Sequence, residues 1–260
     1  LIYNINSNNA QNEIYVTDLI GLFNDAGYSV SAVSPKEEYV VMGFNDKSVL
    51  KEMEKLYKSK VYDRLKNLID IEDPEDFFID ETTVTQLLDL DDAGTPLDIR
   101  IGKGAYIGKG VQLNYGVQIG REVYMNGNII CGKNLRVSQF AHLSTFPHQK
   151  FVIGDDVEIL WGDIIKGNIV IGDNSRIESS VNMTGSDEFP LRIGKNVLIK
   201  GTSYIFGSVV EDDVNIEHSV IIKKKVFRQV RKDGSVQKVK FYLPQPSGLD
   251  VIEDVEPYTE

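Results

Sequence analysis

Cysteine, tryptophan and histidine are scarce in this chain: one, one and three residues in 260. The single Cys131 excludes an internal disulfide framework and a multi-cysteine zinc site, and fits a reducing cytoplasm. Only His142, His148 and His218 are available to any chemistry that needs an imidazole. No apolar run reaches the roughly 18 residues of a membrane-spanning helix, so no membrane partner is expected. Basic charge is in deficit. With 28 Lys and Arg against 39 Asp and Glu, the net charge of −11 argues against a general affinity for nucleic acid or an anionic bilayer. Local patches can still hold bound phosphate groups. Neither a P-loop nor a G-x-G-x-x-G motif occurs. The chain opens Leu1-Ile2-Tyr3, without Met or a signal-peptide pattern, and is expected to be a piece of a longer protein. Its 42% hydrophobic and 26% charged composition is ordinary for a folded domain.

What is present is a repeat. From Ile101 an aliphatic residue or its stand-in recurs at every sixth position: Ile101, Ile107, Leu113, Ile119, Met125, Cys131, Val137, Leu143. After a four-residue insertion the step resumes at Ile153 and runs to Met183. It continues at Ile193, Ile199 and Ile205, and then, after a one-residue deletion, at Val210, Ile216 and Ile222. A second small or apolar register lies four residues on, from Ala105 and Val111 to Leu135 and Ala141. Such hexads predict a triangular parallel coil: each is a short strand and a corner, and three close one turn of about eighteen residues. Each anchor points inward and stacks on its equivalents, so Cys131 reads as a small buried hydrophobe. About seven turns at roughly 4.8 Å give a prism on the order of 30–35 Å tall. Two insertions, Thr145–Lys150 and Gly185–Pro190, leave this pattern. Loops expelled from a solenoid either build a binding site against a neighbouring subunit or are tolerated surface additions.

The first ninety residues are of another kind. The pattern predicts a helix over 17–26 with Thr17 as its cap, strands at Tyr28–Val33 and Tyr39–Met42, and a long helix over Ser48–Leu65 with Leu50, Met53, Tyr57 and Val61 on one stripe. Alternating strand and helix belong to an α/β domain, yet too few elements are present to close a core.

Here the residues resemble a family. Asn8-Asn9-Ala10-Gln11-Asn12-Glu13-Ile14-Tyr15-Val16-Thr17-Asp18 is similar to the N-N-A-Q-G-E-Y-Y-[IL]-T-D stretch of bacterial bifunctional N-acetylglucosamine-1-phosphate uridylyltransferases/glucosamine-1-phosphate acetyltransferases. Gly43-Phe44-Asn45-Asp46 resembles their G-V-N-[DN] motif, and Ile71-Glu72-Asp73-Pro74 their I-D-P opening of the β-helix. Asn12 and Ile14 depart from the usual Gly and Tyr. The resemblance implies a truncated α/β nucleotidyltransferase remnant over 1–70 and a left-handed parallel β-helix of hexapeptide repeats over 71–226, so that the chain is mainly β; residues 227–260 read from their own charge and alternation as a basic hairpin and tail. It also implies a homotrimer, a nucleotide sugar or sugar phosphate as ligand, and Asn45 as a ligand of Mg²⁺ and of the nucleotide-sugar phosphates. Mg²⁺ takes hard oxygen ligands and commonly shares them with phosphate. Without the family, Asn45 reads more simply as the cap of the helix that follows.

Hexapeptide acyltransferases use a His as general base toward an acceptor that attacks acetyl-CoA. Ala141-His142-Leu143-Ser144-Thr145 resembles the family's G-H-L-[ST]-Y segment, and Asn182-Met183-Thr184-Gly185 echoes its N-Y-D-G loop. The spacing between the two is nearly one coil longer than in the family, and the paired Lys before the family's His is missing. His142 therefore reads as the base or as an outward residue beside the Leu143 anchor. His148, in the Pro147 loop, is the alternative base, and His218 reads as structural. Lys223, Lys224 and Lys225 open a run of +7 over residues 223–240, around an Asp233-Gly234 turn. That hairpin is expected to cap the last coil, to hold phosphates of CoA or a nucleotide, or to pair with the acidic end. Three functions stay open: a nucleotidyltransferase part with an acetyltransferase site, a non-catalytic trimerisation or regulatory scaffold, and a sugar O- or N-acyltransferase of other specificity.

Overall fold

The computed structural model describes residues 3, 5, 7, 10, 12–36, 47–91, 94–228 and 232–235. Residues 1–53 and 54–260 form two compact units. In the first, a 3-10 turn at Val16–Asp18 leads into α1 (Leu19–Asp25). The predicted cap Thr17 falls inside that turn, and Asp18 takes the cap position without a side-chain bond. The strand predicted at 28–33 is not formed: Val30 and Val33 are exposed and no described strand pairs with them. A β-strand without a ladder partner has nothing to satisfy its backbone. The Tyr39–Met42 strand and Asn45 lie outside the described residues.

The second unit is a parallel β-solenoid. Three parallel sheets of eight, eight and seven strands form the faces of a triangular coil of about seven turns. The first face starts at Asp70–Ile71 and ends at Asn215–Ile216; the second runs from Phe78–Ile79 to Val220–Ile222; the third runs from Val111–Gln112 to Lys225–Val226. Strands pair in unbroken register, so each outward or inward position repeats as a column along the axis. The anchors from Ile101 to Ile216 are all buried, as are Ala105, Val111, Val117, Val123, Ile129, Leu135 and Ala141. Each such aliphatic side chain stabilises the coil by about 1.5–3 kcal/mol relative to exposure. Cys131 is among them, and burial pushes its thiol up to about 12, which makes it packing and not a nucleophile.

The anchor expected at Ile222 is corrected. Ile221 points inward and Ile222 is 40% exposed. The corner between Ile216 and Ile221 is one residue shorter than its equivalents, and His218 turns it with φ of 44°. Elsewhere the third-to-first corner places Asp98, Asn134, Asp156, Asn174, Asn196 and Asp213 in the left-handed region, which short polar side chains tolerate. The first-to-second corner instead places Glu122, Phe140, Ser180 and Thr202 there, with Phe140 at φ 63° and Thr202 at 61°. Bulky and β-branched residues are strained in that conformation. This corner leads directly onto the face that carries His142.

The mouth of the coil is closed by helices. α2 (Lys47–Leu65) buries Val61 and Leu65, and the Tyr57 hydroxyl donates to the Ile79 carbonyl at 2.8 Å. α3 (Glu81–Asp91) starts after Asp80, whose carboxylate accepts the Thr82 N–H at 3.0 Å as an N-cap. It lies on the first strand of the third face. The Gln86 side-chain amide donates to the Leu113 carbonyl and accepts its N–H, both at 3.0 Å, and the Thr83 hydroxyl donates to the Val111 carbonyl at 2.7 Å. A side chain thus supplies the hydrogen bonds that a further strand would make, and the sheet edge is covered. At the other end, the last strand, Lys225–Val226, pairs with Val209–Val210. Of the expected basic hairpin, only Phe227, Arg228 and residues 232–235 are described. The Asp233-Gly234 turn is present, with Ser235 N–H and Oγ–H both donating to Asp233.

Candidate functional site on the second face

Two outward columns define the second face. One runs Phe78, Tyr106, Tyr124, His142, Ile164, Asn182, Tyr204, Val220; the other includes Asn126, Ser144, Lys166, Thr184 and Phe206. Eighteen residues make a turn, so aromatic residues at that spacing must stack. Tyr57, Phe78, Tyr106, Tyr124 and His142 form a continuous pile with centroid separations of 5.8, 4.6, 4.9 and 4.6 Å. His142 ends it, half-buried against Tyr124, with Nε2 3.2 Å from Ser144 Oγ. Its pKa is lowered, first by burial and then by the Lys166 charge, so its imidazole is neutral at pH 7.

Asn182 shares the His142 column two turns further on, with Ile164 between them, and is exposed. Structure therefore brings the two segments of the resemblance onto one face, separated by one intervening turn. The two insertions also meet. Both leave the corner between the second and third faces, two turns apart, and the His148 imidazole bonds Asp187 at 2.7 Å while Gln149 donates to the same carboxylate at 3.0 Å. These bonds, Gln149 first and then His148, hold Asp187 below the usual carboxylate range. His148 stacks beside Phe146. The alternative base is thus the latch between two loops. His218 is tied to the Gly201 carbonyl at 2.8 Å and lies at the far end of the coil.

The three lysines separate. Lys223 lies over the Phe189 ring at 3.6 Å, Lys225 pairs with Glu211 at 3.5 Å, and Lys224 uses its backbone N–H on Ser208. Among the described residues no three His, Cys, Asp or Glu side chains converge as a metal site. With Asn45 outside them, Mg²⁺ rests on the resemblance alone.

Sequence reasoning missed Asp163. It sits in the second inward register, where Ala141 and Val181 occupy the same column, and is fully buried. One oxygen accepts the Val181 N–H at 2.8 Å and the other, Oδ2, has no partner. Burial pushes its carboxyl up to about 8, against the backbone bonds that lower it. Its carbonyl accepts the His142 N–H, so it lies directly behind the site. The signal was an acid where the register demands a small apolar residue. The exposed pair Phe140 and Trp161, edge to face at 6.2 Å on the preceding corner, was also missed. No helix among the described residues is long and apolar enough to cross a membrane. No protein-family model matches the chain.

Proposed function

We propose that this chain is the C-terminal part of a sugar-1-phosphate nucleotidyltransferase of the UDP-N-acetylglucosamine pyrophosphorylase kind. Residues 1–70 are the remnant of its α/β domain. The β-helix, left-handed as the resemblance implies, assembles the cytoplasmic protein as a homotrimer and transfers an acetyl group from acetyl-CoA to an amino-sugar phosphate. The observation that carries this reading is His142: a neutral imidazole on an outward strand position, stacked on Tyr124 and facing the same side as Asn182. Exterior apolar side chains support assembly, since Ile130, Val152 and Val170 form an outward column on the third face and Phe140 and Trp161 are exposed on a corner.

The chemistry asks little of the protein. The acceptor amine attacks the thioester carbonyl carbon, and as the C–N bond forms its proton passes to the His142 imidazole. The tetrahedral intermediate collapses with cleavage of the C–S bond, and the imidazolium returns the proton to the departing CoA thiolate. A base with a lowered pKa is unprotonated at neutral pH, so the acid limb of the rate profile falls below the ordinary histidine value. The test is acetyl transfer from acetyl-CoA to glucosamine 1-phosphate by wild type and His142→Ala, with native mass measured on both. A loss of about 10²-fold or more with unchanged mass supports the assignment. Equal turnover removes His142 from the mechanism, and absence of turnover in wild type leaves the β-helix as a scaffold.

A further inference from the structure

Among the described outward residues of the second face, one cation is not neutralised by a described carboxylate. Lys166 is the outward residue registered between Ser144 below and Thr184 above, with the His142 column beside it. Its side chain makes no ion pair or hydrogen bond with any described residue, and it is exposed. Along its column the only described carboxylate is Asp80, four turns away at the first strand of the face. Of the carboxylates on the adjoining loops, Asp187 is already held by His148 and Gln149, and Glu188 is exposed. Neighbouring turns lie about 4.8 Å apart, so Ser144 and Thr184 stand one turn to either side of Lys166, each beside an oxyanion held on its ammonium. The two latched loops leave the prism at the corner just beyond these residues and border the patch on that side.

We propose that Lys166, with Ser144, Thr184 and the His142 imidazole around it, binds the oxyanion of a small acidic ligand, a phosphate monoester or a carboxylate. The inference rests on the reading of this face as the acceptor site. It adds a binding residue on the turn by which the His142-to-Asn182 spacing exceeds that of the family, where the resemblance supplies none. Anion binding here also couples to the base: an oxyanion on Lys166 cancels the charge that disfavours imidazolium, and it draws the Ser144 hydroxyl away from Nε2.

The experiment follows the imidazole resonances of the full chain, labelled at its three histidines, during titration with inorganic phosphate and, separately, acetate. Assignment comes from the three single His substitutions. Saturable binding of phosphate, acetate or both, with an upward shift of the His142 pKa, is expected, and the anion that binds names the ligand class. Lys166→Gln is expected to weaken binding roughly tenfold or more and to raise the His142 pKa in the absence of anion. Ser144→Ala and Thr184→Ala weaken it severalfold, and Lys200→Gln on the first face leaves it unchanged. Thermal melting of each variant reports its fold; Lys166 is exposed, so its replacement leaves the coil intact. A His142 resonance that ignores both anions up to tens of millimolar, or equal affinity in Lys166→Gln, overturns the proposal. Anion binding without acetyl transfer removes the acyltransferase reading and leaves this site standing. Acetyl transfer with an unchanged acceptor KM in Lys166→Gln does the reverse.

Discussion

The first and second faces of the prism are built on the same hexad and the same inward aliphatic columns, yet they present opposite surfaces. On the first, charges answer each other in register: Arg100 with Asp70, Arg136 and Arg176 on either side of Glu158, Lys200 with Glu178, and Arg121 with Glu72. The Arg121 guanidinium and the Lys103 N–H hold Glu72 down to about 2. On the second, the outward columns are aromatic and neutral-polar around an uncompensated lysine. The repeat dictates packing only inward. Outward positions make no contact with the core, so one face can be spent on cross-strand ion pairs while the other collects a neutral histidine and a free cation.

The comparison predicts that the faces are equivalent inside and different outside. Ile159→Ala beneath the first face and Ile165→Ala beneath the second should each cost about 2–5 kcal/mol in urea unfolding. A large inequality between them would mean that the two faces do not share one core.

The next effect belongs to Asp163, on the corner between the two faces. Its folded pKa, about 8, lies above its ordinary value of 3.8, so the folded state holds the proton more tightly than the unfolded chain. Stability is therefore complete below pH 4 and is lost as pH rises toward 8, at up to about 1.4 kcal/mol per unit. Asp163→Asn, which keeps an acceptor for the Val181 N–H, should remove this slope and be the more stable protein at pH 8. Identical pH profiles would show that the carboxyl is not desolvated.

Smaller changes should follow outside the core. Asp187→Ala frees both inserted loops from each other, and limited proteolysis should cut within 145–150 or 185–190 faster while the melting temperature hardly moves. Unchanged cleavage would mean that the loops are held by something other than the latch. Smallest of all, Glu158→Gln on the first face should cost at most about 1 kcal/mol, and less at high salt, because exposed ion pairs gain little over hydrated charges.

The interior of the coil was legible because packing imposes a period: every predicted anchor from Ile101 to Ile216 is buried. Ile222 failed because a corner lost one residue, and a one-residue change flips a strand's faces. The strand at 28–33 failed because β-propensity supplies no pairing partner. The site was legible only in part. His142 and Asn182 came from local resemblance, and the fold put them on one face. The aromatic pile was present in the eighteen-residue spacing of Tyr106, Tyr124 and His142. The latch between His148 and Asp187 was not, because it joins irregular loops 39 residues apart whose paths no period describes. Asp163 stood in plain sight as a break in the apolar register.

The most direct test of the central claim, that the second face is an acyl-transfer site and not another structural wall, is a calorimetric titration of the whole chain with acetyl-CoA. The account predicts saturable binding at one site per subunit, preserved in the first-face variant Glu158→Gln. No binding up to millimolar acetyl-CoA would contradict it and reduce the β-helix to an assembly scaffold.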